Sequence, residues 1–111
     1  MADVHLTLPF GAIENVIGNL TTADGSSQTA STVKIQFKDM NGVPYVNAPL
    51  DFTNPVACTL LTATGATVTG QYAMNTTQFA LGIYEATMQF AMTNGTTEFV
   101  TFNIKVQGSP L

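Results

Sequence analysis

Arginine and tryptophan are both missing from this sequence, and the only basic residues besides one histidine are Lys34, Lys38 and Lys105. A nucleic-acid partner is therefore not expected, because phosphate contacts need clustered lysine and arginine. The same shortage argues against an anionic membrane surface. Charged residues make up 9% of the chain, against about 25% in an average soluble domain. Seven acids leave a net charge of −4. Cysteine occurs once, so no internal disulfide can form. Its setting, Val56-Ala57-Cys58-Thr59-Leu60-Leu61, is apolar and suits a buried small hydrophobe better than a nucleophile, which wants an electropositive neighbourhood.

The scarcity extends to catalytic chemistry. His5 is the sole histidine, so any triad would depend on a residue close to the chain terminus. One histidine and one cysteine cannot supply a zinc site. Asp39-Met40-Asn41-Gly42 opens like a calcium loop but lacks the third oxygen ligand and the terminal glutamate, and it fits a hairpin turn better. The acids show no close pairing in sequence, and no glycine-rich phosphate loop precedes a lysine. The expectation is a protein that is not an enzyme and uses no metal or cofactor. No run approaches the roughly 20 apolar residues of a membrane span. No basic and then apolar leader opens the sequence, so no signal peptide is expected and the protein should be made in a cytoplasm.

What the sequence does contain is 45% hydrophobic residues in 111 positions, enough for one domain with a core. Threonine, valine, alanine, asparagine and glycine dominate, a composition that suits strands better than helices. Thr32 to Asp39 alternates, with Val33, Ile35 and Phe37 on one side and Lys34, Gln36 and Lys38 on the other. Asn41-Gly42 follows as a turn, and Ala48, Leu50 and Phe52 read as a short strand ended by Asn54-Pro55. Tyr84, Ala86, Met88, Phe90 and Met92 share a face. After Asn94-Gly95, the run Val100, Phe102, Ile104 and Val106 returns, the strongest local hairpin signal in the chain. Ile13, Val16, Ile17 and Leu20 have helical spacing, but three of the four are β-branched and Gly18 interrupts them, which favours a strand. About seven short strands with turn signals every 8 to 12 residues read as an all-β, antiparallel two-sheet β-sandwich. Its expected core holds Val33, Ile35, Phe37, Leu50, Phe52, Tyr84, Ala86, Met88, Phe90, Phe102 and Ile104.

The stretch from Ala23-Asp24-Gly25, through the strand Thr32–Asp39 and Asn41-Gly42-Val43-Pro44, to Ala48-Pro49-Leu50-Asp51-Phe52 resembles the bacterial immunoglobulin-like domains of invasins and intimins. Leu81-Gly82-Ile83-Tyr84 resembles the Gly-x-Tyr entry to their penultimate strand. The resemblance spans about Asn19 to Val106 and implies an Ig-like sandwich over residues 19–111, with residues 1–18 as an N-terminal arm or extra strand. Those domains stand in tandem in exported surface proteins. A single copy without a signal is instead similar to the Ig-like accessory proteins of tailed-phage virions. The implied function is a virion structural protein, a capsid decoration or cement protein that binds and stabilises the assembled shell. A tail or baseplate component and a glycan- or receptor-binding adhesin module are the alternatives. The implied partners are the major capsid protein or another virion protein.

Low charge also predicts self-association, since charge is one device that keeps proteins apart. By analogy with decoration proteins on threefold positions a trimer is expected first, and a dimer next because twofold assemblies are commonest. Ile83 and Phe99 fall out of the core register and are candidate partner contacts. Val4, Leu6, Leu8 and Phe10 are the others. Val4, Leu6 and Leu8 line one face of an N-terminal strand that must pair with its own sheet edge or with a neighbour.

Overall fold

A computed structural model describes residues 5–108, and it is all β apart from one turn of 3-10 helix. In chain order the strands are β1 (His5–Pro9), β2 (Ile13–Thr21), β3 (Gln28–Lys38), β4 (Val46–Asn47), β5 (Leu50–Asp51) and β6 (Val56–Ala57). They continue with β7 (Thr59–Thr62), β8 (Thr64–Gly65), β9 (Thr67–Asn75), the 3-10 turn Thr76–Gln78, β10 (Gly82–Met92) and β11 (Thr97–Gln107). One sheet runs β1-β11-β10-β3-β6, with β8 also pairing β3. The other runs β2-β9-β7, and β4-β5 is a separate small hairpin. The two larger sheets pack face to face as an Ig-like sandwich. Val16, Ile17 and Leu20 lie on β2, so the helical spacing there belongs to a strand, and its members divide between two faces.

The core is built by alternation, interrupted once in β3, where a register shift sets the buried Ala30 and Val33 three positions apart. Ile35, Phe37, Ala86, Met88, Phe90 and Ile104 are fully buried and Phe102 nearly so, because every second residue of β3, β10 and β11 turns inward. Of the expected core only Leu50 stays half-buried, at the edge of the core cluster. It belongs to the two-residue pairing β4-β5, which is too short to press it against both sheets. Phe79, Val68, Val16, Met74 and Val106 complete the interior. Phe37 meets Phe52, Phe79 and Tyr72 with ring centroids 4.9, 5.0 and 5.6 Å away, which joins the two sheets through aromatic contact. Nearer the middle, Gly18 and Gly70 face each other across β2 and β9. A Cβ on Gly18 would stand 2.5 Å from the Met88 sulfur, and one on Gly70 would stand 2.9 Å from Val33 Cγ2. A side chain at Gly70 would press on the stiff Val33, whereas at Gly18 the flexible Met88 side chain would have to shift.

One difference from expectation concerns pairing. The sandwich is antiparallel except at one place: β1 lies parallel to β11, with Leu6 beside Ile104 and Leu8 beside Val106. The β10–β11 turn falls at Asn94-Gly95, as the sequence indicates. Gly95 alone has positive φ, at 94°, its N–H donates to Met92 O at 3.1 Å, and Met92 N–H donates to Thr96 O at 2.8 Å. The Asn94 side chain is instead used as an acceptor for Thr96 N–H at 3.0 Å, the local bonding that favours asparagine in turns.

The corner before β10 is held by a tyrosine. The Tyr84 hydroxyl donates to Ala80 O, four residues upstream, as in the tyrosine corner of Ig-like sandwiches. Thr76 is completely buried beside it. Its hydroxyl accepts Ala12 N–H at 2.9 Å and lies within donating distance of Pro9 O at 2.8 Å, which ties the β1–β2 link to this corner.

Candidate functional site

The sandwich presents two broad outer faces, and they differ in kind. On the six-stranded sheet, Lys34 pairs with Gln89, Lys38 with Glu85 and Lys105 with Ile83. All three lysines of the chain therefore project from this one face, with Glu85 in register beside Lys38. On the three-stranded sheet the outward residues are Ile13, Asn15, Ile17, Asn19 and Thr21 of β2, and Thr67, Thr69, Gln71, Ala73 and Asn75 of β9. Thr59 and Thr62 of β7 continue their rows. None of these carries a charge. Ile13 is 70% exposed and Ile17 47% exposed. Cross-strand bonds order the polar part, with the Thr21 and Thr67 hydroxyls 2.8 Å apart and the Thr69 hydroxyl donating to Asn19 Oδ1 at 2.8 Å.

Among the described residues the acids lie off both broad faces apart from Glu85. Asp24, Asp39 and Asp51 sit in turns and the small hairpin, and Glu98 near the start of β11. Ser26 and then its backbone hold the Asp24 carboxyl below its ordinary value of 3.8, and Thr53 does the same for Asp51. These are local turn bonds that stabilise the ionised form.

A second feature lies at one end of the sandwich. The β2–β3 loop and the β10–β11 turn enclose a cleft of about 390 Å³, lined by Thr22, Ser27, Gln28, Asn94, Thr96 and Glu98 among others. Its walls are mostly hydroxyls and amides, with the Glu98 carboxylate and Met92 beside them, and it is shaped by the Asp24–Ser26 turn and by Thr93 N–H donating to Thr29 O at 3.0 Å.

The residues expected to bind partners do not form one surface. Val4 lies outside the described residues. Leu6 and Leu8 pack against the core from β1, so both are engaged by the domain's own sheet. Phe10 is 44% exposed just after β1, where its N–H donates to Gln107 O at 2.9 Å. Ile83 is 39% exposed opposite Lys105. Phe99 is 60% exposed opposite Gln89, six residues along β11 from Lys105 and so about 20 Å away. Both are single apolar side chains on the lysine-bearing face. The sequence reading missed Ile13 and Ile17 as surface residues. Their even spacing was the available signal: it puts them on one face of a strand, opposite the face that holds Val16.

Among the described residues no three His, Cys, Asp or Glu side chains come together as they would to hold a metal ion. Cys58 is half-buried, and burial pushes its thiol up from 9.0 to about 12, which leaves it protonated and unreactive at neutral pH. No helix among the described residues is long and apolar enough to cross a membrane.

These features define an Ig-like β-sandwich whose distinctive parts are its surfaces. Among solved structures similar to this chain, that of CopC from Methylosinus trichosporium OB3b matches at 13% identity and a TM-score of 0.50, over 100% of this chain and 89% of that one. At that identity the likeness is one of fold. No protein-family model matches the chain, and no curated protein matches it.

Proposed function

We propose that the protein is a non-enzymatic structural module of a tailed-phage virion, a decoration or cement protein that docks on the assembled shell. The observation that carries this reading is the charge-free outer face of β2-β9-β7 with Ile13 and Ile17 exposed. Interface cores are depleted of charge because desolvating a charge is costly, and here a broad face has none to desolvate. The lysines on the opposite face and the acids in the turns keep the free domain soluble. The resemblance to invasin- and intimin-type domains, and through them to phage accessory proteins, supplies the virion setting.

The test is co-sedimentation of the purified protein with assembled shells and with unassembled capsid subunits from a phage that carries it. Binding to shells alone, abolished by Gln71→Lys in the middle of the uncharged face, is the expected result. Equal binding of wild type and Gln71→Lys would remove the face from the reading, and no binding to shells would remove the reading itself. The polar cleft supports a second reading, a glycan- or receptor-binding module, since its volume lies in the range of small-ligand sites and its lining is rich in hydroxyls and amides. Under that reading the lone domain binds a defined glycan, and Glu98→Gln together with Asn94→Ala weakens it.

A further inference from the structure

We propose that β2 pairs edge to edge with β2 of a second copy, antiparallel, about a twofold axis through Ile17. Among the described residues, one side of β2 is unpartnered in the sheet order β2-β9-β7. The ladder shows which groups lie there. Thr22 N–H donates to Ala66 O at 2.9 Å and Thr76 N–H to Ala12 O at 2.9 Å. In the uninterrupted register between them, the even-numbered residues turn their main-chain groups toward β9. The N–H and C=O groups of Ile13, Asn15, Ile17, Asn19 and Thr21 therefore point to the free edge.

Every other edge of the two sheets is short or broken. β1 is 5 residues long and ends at Pro9. β7 has 4 residues and a register shift between Leu60 and Thr62. β6 and β8 have 2 residues each. β2 has 9 residues, with no proline, lysine or bulge, which are the usual devices that keep an edge from pairing.

A second copy fits this edge for reasons of register and charge. An axis through Ile17, the midpoint of β2, sets Ile13 opposite Thr21, Asn15 opposite Asn19 and Ile17 opposite itself. Odd residues then meet odd residues, and each of the free main-chain groups gains a partner. The side chains agree: the amides of Asn15 and Asn19 face each other on both sides of the axis, and Val16 falls beside Gly18. Glu14, the only charge on the strand, lies opposite Leu20, about 20 Å from its own counterpart. A chain of net charge −4 meets its copy here without like charges in contact. The pair would double the width of the charge-free face. The pairing does not depend on the virion reading: it is a property of the free protein, whereas shell binding is tested on the face of β9.

Sedimentation equilibrium at micromolar concentration is expected to show a dimer. Ile17→Pro removes an N–H from the free edge and none from the β9 ladder, so it should give a folded monomer. Should that variant fail to fold, Ile17→Lys, which sets two like charges opposite each other across the axis, should do the same. In a Cys58→Ala background under mild oxidation, Ile17→Cys should crosslink to a covalent dimer, because paired Cα atoms lie about 5.5 Å apart. Ile13→Cys should not, because its counterpart is about 27 Å away. A wild type that is monomeric throughout the concentration range overturns the proposal. So does a dimer or trimer that survives both Ile17 substitutions, or one in which Ile13→Cys crosslinks as well as Ile17→Cys.

Discussion

The two outer faces of this sandwich follow the same alternating pattern and yet do opposite things. On the six-stranded sheet the outward positions of β3, β10 and β11 hold Lys34, Lys38, Lys105 and Glu85. On the three-stranded sheet the outward positions hold threonine, asparagine, glutamine and two exposed isoleucines. Period-2 alternation explains why each sheet has a polar outside. It does not explain why one outside is charged and the other neutral. Neutral amides and hydroxyls cost less to desolvate than ammonium groups, so the neutral face is the one that can be covered cheaply. A low overall charge is thus distributed, with its carriers withheld from one side.

The largest effect tests what the two sheets share. Phe37, on β3 of one sheet, touches the ring of Tyr72 on β9 of the other, and Phe37→Ala should cost about 3–5 kcal/mol. A denaturation midpoint near that of wild type would show that the sheets do not depend on this contact. Gly70→Ala comes next. Its new Cβ would press on the stiff side chain of Val33, and overpacking of this kind costs about 1–3 kcal/mol. An unchanged melting temperature would mean that the sheets can separate without penalty. Tyr84→Phe removes the bond to Ala80 O at the corner and should cost about 1 kcal/mol in chemical denaturation.

A charge exchange between the faces sharpens the comparison directly. Lys34→Gln combined with Gln71→Lys keeps the net charge and should alter stability by less than about 0.5 kcal/mol. Shell binding should nevertheless be lost. A large change in stability would show that the distribution of charge serves folding rather than docking.

The smallest effect is with pH, and it belongs to groups between the sheets. Burial raises Cys58 from 9.0 to about 12, and it raises Tyr72 and Tyr84 above their ordinary 10.0, with Tyr45 adding to the shift of Tyr84. Their protonated forms are favoured in the fold, so this stability is intact below the ordinary values and is lost as pH rises through them. A melting temperature that is flat through neutral pH should fall from about pH 9 upward, and Cys58→Ala should delay the fall. Asp24 and Asp51 act in the opposite sense. Their depressed values stabilise the fold above 3.8, and that contribution fades as pH drops further. A decline that begins at neutral pH would contradict both assignments.

Much of this was legible in the residues. β3 and the β10–β11 hairpin could be read residue by residue, because each turns one apolar series inward and is bounded by a glycine turn. The Gly-x-Tyr motif marked the entry to β10, but the bond from Tyr84 to Ala80 O at that corner was seen only in the structure. Phe79 was not legible as core: it follows a turn without periodicity, and its burial depends on Phe37 and Tyr45 from other parts of the chain. The surface was the least legible part. Phe99 and Ile83 stood out because they break the alternation, but the structure leaves them far apart on the charged face.

What the sequence determined by itself is local: strand type, the inward series, the turns, and the near absence of charge. Each rests on contacts between residues a few positions apart. The tertiary structure alone decided that β1 runs parallel to β11, that Gly18 and Gly70 meet across two strands under Met88, and that β2 is left with an open edge. Those outcomes join segments distant in the chain, and backbone pairing is nearly blind to side-chain identity. No short stretch of sequence can specify its partner strand; only the packing of the whole core selects it.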